Sequence, residues 1–163
     1  MIKTLVSLPD KCTGCHRCEM WCSMKRKGVL NVERAAIHIL RREPAIDSPQ
    51  ICLQCGICIE ACPLGLIKRD KKTGAVMIDT EKCILCGRCM MACPYGMITI
   101  DPIDRHAVKC DLCGGDPECV KHCREGAILF VEADQAGRYR REARAKGDKR
   151  EGRRYLLNDN KLG

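Results

Sequence analysis

The sequence predicts an α+β fold in which short strands and short helices surround groups of cysteines. Short apolar runs recur along the chain, and they are too short for helices, so we expect strands there. Cysteine makes up 16 of the 163 residues, whereas aromatic residues account for only 3%. A composition this rich in cysteine indicates a covalent or metal-bound framework. We therefore expect that whatever the cysteines bind holds much of the fold together.

Six short apolar runs are the candidate strands. They lie at 4–8, 36–40, 66–68, 75–78, 97–100 and 127–131. Segment 70–74, which ends in a glycine, is predicted to be the hairpin turn between the third and fourth runs. Helices of one to three turns are expected where the cysteine groups end, for example at 18–26.

The cysteines fall into four runs, and none is left over. The first three runs share the spacing C-x2-C-x2-C-x3-C, and the second and third add a proline after the last cysteine. The fourth run has a five-residue gap in its middle. From the N-terminus, the runs are Cys12, Cys15, Cys18 and Cys22; Cys52, Cys55, Cys58 and Cys62; Cys83, Cys86, Cys89 and Cys93; and Cys110, Cys113, Cys119 and Cys123.

This spacing is typical of bacterial ferredoxins that bind two 4Fe–4S clusters. Three closely spaced cysteines on one loop can bind three irons of a cubane, and the fourth lies on the following helix and points toward a neighbouring cluster. Two such runs therefore share ligands reciprocally. Sixteen cysteines supply the ligands of four clusters and leave no thiol for catalysis. The sequence also has no P-loop, nucleotide fingerprint or nucleophile–base pair, so we expect no active site in this chain.

Zinc and disulfide bonds are the alternatives for closely spaced cysteines. Zinc sites use cysteine pairs separated by a dozen or more residues, and a third cysteine in the same run has no role in them. Disulfides are disfavoured because closely spaced helical cysteines pair poorly, and because the N-terminus has no signal-peptide character. No stretch approaches the roughly 18 consecutive apolar residues of a membrane helix. We therefore expect a cytoplasmic protein without membrane insertion.

An internal repeat supports the iron–sulfur interpretation. Residues 51–65 match residues 82–96, and glycine follows the second cysteine in three runs, at Gly56, Gly87 and Gly114. A residue without Cβ lets the backbone approach a cluster and direct N–H groups toward sulfur. Three glycines at one register favour cluster binding over ordinary turns.

The positive charge lies mainly near the C-terminus. The formal net charge is +8, and residues 134–163 hold ten of the 29 basic residues against five acidic ones. Four oxidised clusters, at about −2 each with their thiolates, would offset the overall charge, so it does not indicate nucleic-acid binding. We expect this tail to dock to a partner through Tyr155, Leu156 and Leu157, with a solvated extension as the alternative.

The chain resembles the four-cluster electron-transfer subunits that accompany molybdenum- or tungsten-pterin oxidoreductases, such as those of the dimethyl sulfoxide reductase type. The resemblance covers residues 3–132 and is most distinctive at 109–123, K-C-D-L-C-G-G-D-P-E-C-V-K-H-C. The opening stretch 11–22, K-C-T-G-C-H-R-C-E-M-W-C, resembles the small subunits associated with tungsten aldehyde oxidoreductases.

The resemblance implies that the first run shares ligands with the fourth, and the second with the third. It implies two ferredoxin-like units, an outer one formed by residues 1–43 and 102–133 and an inserted one formed by residues 44–101, followed by a basic extension at 134–163. The implied ligand sets are quartet 1 (Cys12, Cys15, Cys18, Cys123), quartet 2 (Cys110, Cys113, Cys119, Cys22), quartet 3 (Cys52, Cys55, Cys58, Cys93) and quartet 4 (Cys83, Cys86, Cys89, Cys62).

Residues beside the ligands depart from the simple pattern. Ser23 and Arg124 stand where proline follows the fourth cysteine of the other runs. Each restores a backbone donor near a thiolate, and Arg124 also adds a cation. Both changes predict a raised reduction potential of the nearby cluster. The alternative for Arg124 is a solvated side chain, whose charge is screened. His16 and His122 are interpreted as neighbours of the clusters and not as ligands. Trp21 is expected to pack against a cluster, with a role as an electron relay as the alternative.

The predicted function is a relay for single electrons. The resemblance implies a hetero-oligomer with a large tungsten- or molybdenum-pterin catalytic subunit, first of all an aldehyde oxidoreductase. A flavin subunit or a soluble ferredoxin would take up or supply the electrons. The same relay in a formate, sulfur-compound or hydrogenase complex is the first alternative. A zinc-stabilised basic module that binds nucleic acid is a more remote one.

Overall fold

The computed structural model describes residues 2–42, 46–143 and 145, and it consists of short elements. The first four helices are α1 (Arg17–Lys27), α2 (Ile57–Ala61), α3 (Arg88–Met91) and α4 (Glu118–Lys121). A fifth, α5, covers 133–143. The strands are β1 (Lys3–Ser7), β2 (His38–Arg42), β3 (Ile46–Gln50), β4 (Ile67–Arg69), β5 (Val76–Ile78), β6 (Thr99–Ile100), β7 (Ala107–Val108) and β8 (Ile128–Glu132).

The described strands pair as four two-stranded antiparallel sheets. β1 pairs with β8, so the two ends of the cysteine-rich region are joined, and Leu5 lies opposite Phe130. The other pairs are β2 with β3, β4 with β5, and β6 with β7. Helix α1 packs on α4, and α2 packs on α3. Helices α1 and α4 carry cysteines of the first and fourth runs, and α2 and α3 carry cysteines of the second and third. The packing therefore brings the first run to the fourth and the second to the third.

The α+β prediction is confirmed, and the six predicted strands all occur with shifted ends. Two strands were not predicted, β3 and β7. β3 contains Pro49, which cannot donate a backbone hydrogen bond and therefore argues against a strand in a sequence. Pro49 is tolerated here because it lies opposite Ile39 in a sheet of only two strands. β7 has only two residues, too few to show an alternating pattern.

Two apolar cores include cysteines. The first contains Leu5, Ile37, Leu112 and Ile128, and it extends to Ile51. The second contains Ile67, Val76 and Ile98. The cysteines are packed into both: Cys18, Cys22 and Cys119 into the first, and Cys58 into the second. The predicted division into an outer unit and the insert 44–101 stays a prediction, and Ile51 of that insert packs in the first core.

The predicted extension 134–163 begins as helix. Residues 133–143 form α5, which packs against the β1–β8 sheet through Ala136 and Tyr139, next to Val6 and Leu8. Arg140 also donates a hydrogen bond to the Leu5 carbonyl, at 3.3 Å. Tyr155, Leu156 and Leu157, the predicted docking residues, lie outside the described residues. Within the described part of the chain, no helix is long and apolar enough to cross a membrane.

A buried ion pair ties Arg34, in the segment between α1 and β2, to the β6–β7 turn. The Asp101 carboxylate is fully buried and accepts hydrogen bonds from Arg34 Nε and from the backbone N–H groups of Ile103 and Asp104, each at 2.9 Å. Burial acts to raise the pKa of Asp101, but these donors outweigh it and lower the pKa to about 2. The carboxylate is therefore ionised when the fold is intact.

We expect Asp101→Asn to lower the thermal unfolding midpoint of the cluster-loaded protein by roughly 5–10 °C, because Asn leaves buried Arg34 without its main counter-charge. Circular dichroism under anaerobic conditions measures the change. Asp104→Asn is the matched control: Asp104 also contacts Arg34, but its side chain is 40% exposed, so a smaller loss is expected. Equal midpoints for the wild type and Asp101→Asn would contradict this account.

Candidate metal centres

Quartet 1 lines a cavity of about 210 Å³. Cys12 and Cys15 lie on the loop before α1, Cys18 lies in its first turn, and Cys123 follows α4. Gly14 is tightly placed on this loop, with φ of +66°, and a Cβ there would lie 2.4 Å from Asp47 Oδ2. The four thiols thus line one cavity although they come from opposite ends of the sequence.

Quartet 2 lines a second, smaller cavity. Cys22 of α1 lies there with Cys110, Cys113 and Cys119 of the fourth run, and Cys52 joins the same wall. Quartets 1 and 2 are neighbours, since Cys18 is close enough to Cys119 to influence its ionisation.

Quartet 4 lines the third cavity, where Cys62 lies with Cys83, Cys86 and Cys89. Leu64 and Ile84 form part of its wall and are both more than half exposed.

Quartet 3 is brought together only in part. The charges of Cys52 and Cys55 help to raise the pKa of Cys58, after the larger effect of burial. These three thiols are therefore close to one another. Cys93, the fourth member of this quartet, lines none of the three cavities. The ligand role of all sixteen cysteines, Cys93 included, remains a proposal.

Burial raises the pKa of several of these thiols. It is the main reason that the pKa of Cys18 rises to about 12, and the nearby charges of Glu19, Cys12 and Cys123 add to it. Burial also raises the pKa of Cys110 to about 12, with Cys52 and Cys22 adding to it. Thiolates gathered at such sites need a strong positive counter-charge, and a metal supplies one while displacing the thiol protons.

Backbone N–H groups point at the sulfur of the fourth cysteine in three runs. Met97 donates to Cys93 Sγ at 3.4 Å, and Ala127 donates to Cys123 Sγ at 3.2 Å. Each donor comes four residues after its cysteine, behind a turn that is closed by a glycine with positive φ, Gly96 or Gly126. The C-x-x-G pattern after the fourth cysteine, repeated in the last three runs, was the sequence signal for this turn. We did not use it.

In the first run, the sulfur of the fourth cysteine accepts its hydrogen bond from a more distant residue. Cys22 lies inside α1, which continues to Lys27, so no such turn can form there. Its sulfur accepts a hydrogen bond from Ala36, at 3.3 Å. Ser23 is fully buried, and its hydroxyl donates to the Met20 carbonyl and accepts from the N–H of Asn31.

The predicted donor role of Ser23 and Arg124 is corrected. Among the described hydrogen bonds, the donors to Cys22 and Cys123 are the N–H groups of Ala36 and Ala127, not those of Ser23 and Arg124. Arg124 is exposed at the edge of the quartet 1 cavity. Solvent screening at that position favours the interpretation of Arg124 as a solvated side chain.

Two histidines and the tryptophan lie beside the ligands. Trp21 stacks on His122, with ring centroids 3.8 Å apart and planes within 5°. The stack joins α1 to the end of α4, the two segments that carry Cys22 and Cys123. His16 pairs with the buried carboxylate of Glu19, which also accepts the N–H of Ile39. Both histidines therefore have partners other than a metal.

The residues fit 4Fe–4S clusters. All sixteen cysteines are free thiols, three quartets face cavities, and several sulfurs accept backbone N–H groups, which are the usual hydrogen bonds to cluster thiolates. The second cysteine of each of the first three runs, at Cys15, Cys55 and Cys86, is exposed. Clusters held there would therefore lie near the surface.

Protein-family models match most of the cysteine-rich region. The model of a 4Fe–4S dicluster domain matches residues 51–97, and another dicluster model matches residues 75–124. A 4Fe–4S binding domain matches residues 9–25. These matches and the sixteen cysteines fit several 4Fe–4S clusters, with four as the count that the quartets suggest.

Similar proteins include subunits of oxidoreductases. The polyferredoxin-like subunit of an aliphatic sulfonate oxidoreductase from Pyrococcus furiosus is 40% identical, over 81% of this chain and 79% of that protein. An uncharacterized ferredoxin of Methanocaldococcus jannaschii is 35% identical, over 88% of this chain and 89% of its own length. The beta subunit of an NADH-dependent phenylglyoxylate dehydrogenase from Aromatoleum evansii is also 35% identical, but the match spans only 30% of that protein.

Proposed function

Because this chain belongs to the polyferredoxin-like 4Fe–4S electron-transfer subunits of oxidoreductases, we propose that it relays single electrons from a tungsten- or molybdenum-pterin catalytic subunit to a second redox subunit or carrier. The four quartets are its cluster ligands, and the reducing cytoplasm is its compartment. When bound, each cluster accepts and releases one electron at a time. The chain's own residues hold the thiolates and direct N–H groups at them.

The observation that carries this proposal is the succession of neighbouring quartets. Quartet 1 adjoins quartet 2 through Cys18 and Cys119, and quartet 2 adjoins Cys52 of quartet 3 through Cys110. Cys58 packs in one core with Cys62 and Cys83 of quartet 4. Electrons would therefore enter and leave at the two ends of this series, where Cys15 and Cys86 are exposed.

A partner surface beside quartet 4 is part of the proposal. Leu64 and Ile84 both border its cavity and are 51% and 68% exposed. Exposed apolar side chains grouped in this way are typical of protein interfaces. Covering them in a complex would also exclude water from this end of the relay.

Aldehyde oxidation is the coupled reaction that we place first, on the resemblance of residues 11–22. Oxidation or reduction of a sulfur compound is the second candidate. It is favoured by one observation, the 40% identity to a subunit of an aliphatic sulfonate oxidoreductase.

The native complex tests this function. We expect an affinity-tagged chain, purified without oxygen from its own cells, to bring down a large subunit that contains tungsten or molybdenum. Mass spectrometry would identify the subunit, and metal analysis its cofactor. Assays with aldehydes and with sulfonates distinguish the two candidate reactions. A large subunit without either metal would overturn the pterin assignment, and stoichiometric zinc in place of iron would overturn the cluster assignment.

The predicted docking of the tail is tested with the same complex. A chain ending at residue 145 keeps α5 and removes six basic and three acidic residues. We expect it to retain its iron but to lose part of the partner, most clearly at low salt, because high salt already screens the tail's charge. Full recovery of the partner at low salt would favour the solvated-extension alternative.

A further inference from the structure

Lys109 is a buried lysine between two cysteine runs, and none of the roles described so far uses it. It follows β7, directly before Cys110, and is only 5% exposed. Its Nζ donates to Gln54 Oε1 at 2.8 Å, to the Val76 carbonyl at 2.7 Å and to the Cys110 carbonyl at 3.1 Å. An ammonium group has three hydrogens and no lone pair to accept with, so these three acceptors fit the charged form.

No carboxylate among the described residues pairs with this charge. Within the described part of the chain, the contacts of Lys109 Nζ are two carbonyl oxygens and an amide oxygen, and no ion pair is found. Burying an ammonium without a negative partner is costly. The two flanking quartets, 2 and 3, would each carry a net negative charge once they hold clusters.

The position of Lys109 lets its charge act on both quartets. Cys110 of quartet 2 is its neighbour in sequence, while Gln54 lies between Cys52 and Cys55 of quartet 3. Burial raises the pKa of both Cys58 and Cys110, and the Lys109 charge acts against that rise in each case. One ammonium thus influences a thiol from each of the two central quartets.

Gln54 holds the ammonium in place from the other run. Its Oε1 also accepts the N–H of Val76 at 2.9 Å, and its Nε2 donates to the Cys110 carbonyl at 3.0 Å. The residue before the second cysteine has positive φ in three further runs as well, but there it is apolar or glycine: Gly14, Leu85 and Leu112. The polar residue occurs only in the run that faces Lys109, so its side chain is specific to this junction.

We propose that the Lys109 ammonium, held by Gln54, Val76 and Cys110, selectively raises the reduction potentials of the two central clusters, those of quartets 2 and 3. This inference rests on the cluster assignment in the proposed function. A fixed positive charge stabilises the reduced cluster, which is more negative by one unit than the oxidised one. The charge is shielded from water, so its effect is larger than that of a surface lysine. The two central clusters would then share an electron across the junction between the runs.

The test is a redox titration of the isolated, fully loaded chain, followed by electron paramagnetic resonance. We expect Lys109→Met, which keeps the length of the side chain, to shift the reduction equilibrium of two clusters at least tenfold toward the oxidised form. That shift corresponds to about 59 mV downward for a one-electron couple. The reduction potentials of the other two clusters should shift less. Cys110→Ala and Cys55→Ala, each combined with Lys109→Met, identify which signals belong to quartets 2 and 3.

Lys121→Met is the matched control, because Lys121 lies on α4 between Cys119 and Cys123 but pairs with the carboxylates of Asp116 and Glu118 and is 42% exposed. Removal of the Lys121 charge should shift the reduction equilibrium of no cluster by tenfold. If Lys109→Met loses iron, the Gln54→Glu variant is measured in its place. It puts a carboxylate against Lys109, which offsets the ammonium charge and should lower the same two reduction potentials.

Three outcomes would overturn the inference: unchanged potentials in a loaded variant, an equal shift of all four clusters, or loss of iron from both variants, which would assign Lys109 a structural role. The titration needs no partner subunit, so failure to find a pterin enzyme would leave its result unaffected.

Discussion

Removal of iron from the purified chain is expected to unfold most of it. Thiols occupy positions in both apolar cores, with Cys22 and Cys119 in the first and Cys58 in the second. Short elements surround them, since the longest described strands have five residues and four of the helices have eleven or fewer. Elements this short are not stable alone, so the cluster ligands must connect them.

The physical reason lies in the balance of charge at each quartet. Without metal, the buried and half-buried thiols of a quartet must either stay protonated, without hydrogen-bond partners equal to water, or ionise and repel one another. The binding free energy of the clusters is therefore largely folding free energy. Chelation without oxygen should abolish the visible absorbance and most of the far-ultraviolet circular dichroism together.

Two further measurements distinguish unfolding from simple loss of colour. Amide hydrogen exchange of β1 and β8 should become fast on chelation, because these strands are fixed by the runs between them. Addition of iron and sulfide under reducing conditions should restore slow exchange. A metal-free chain that kept protected β1 and β8 amides would show that the apolar cores suffice, and it would contradict this expectation.

The local features of the sites could be predicted from the sequence because they depend on short spacing. The runs, the hairpin turn near Gly74 and the helix that carries Cys18 and Cys22 are each set by neighbouring residues. The repeated C-x2-C-x2-C-x3-C pattern restricts the chain to loops that can surround a cubane. Family resemblance then supplied the pairing of the runs, which spacing alone could not decide.

The features that were missed depend on contacts between distant segments. Gln54 and Lys109 meet across 55 positions, so no local pattern predicts their contact. Ala36 donates to Cys22 from beyond the end of α1, which no pattern around Cys22 reveals. The strand containing Pro49 forms because β2 is available beside it, against the local preference of proline.

Alanine at Cys22 is expected to destroy a cluster held mainly by the fourth run and to spare the cluster of its own run. Cys22 lines the cavity of Cys110, Cys113 and Cys119, and the charge at Cys113 raises its pKa, after the larger effect of burial. Cys12 and Cys18, although close in sequence, face a different cavity with Cys123. The helix pair α1 and α4 would thus exchange one ligand in each direction.

Four single variants test this exchange in a crossed design. We expect Cys22→Ala and Cys113→Ala to remove the same paramagnetic signal, and Cys12→Ala and Cys123→Ala to remove another. Each variant should fall from about 16 irons toward about 12, if one cluster is lost. Loss of a single iron instead would indicate a three-iron cluster at the same place and would still identify the pair. If Cys22→Ala and Cys12→Ala removed the same signal, each run would close its own cluster, and the exchange of ligands between α1 and α4 would be wrong.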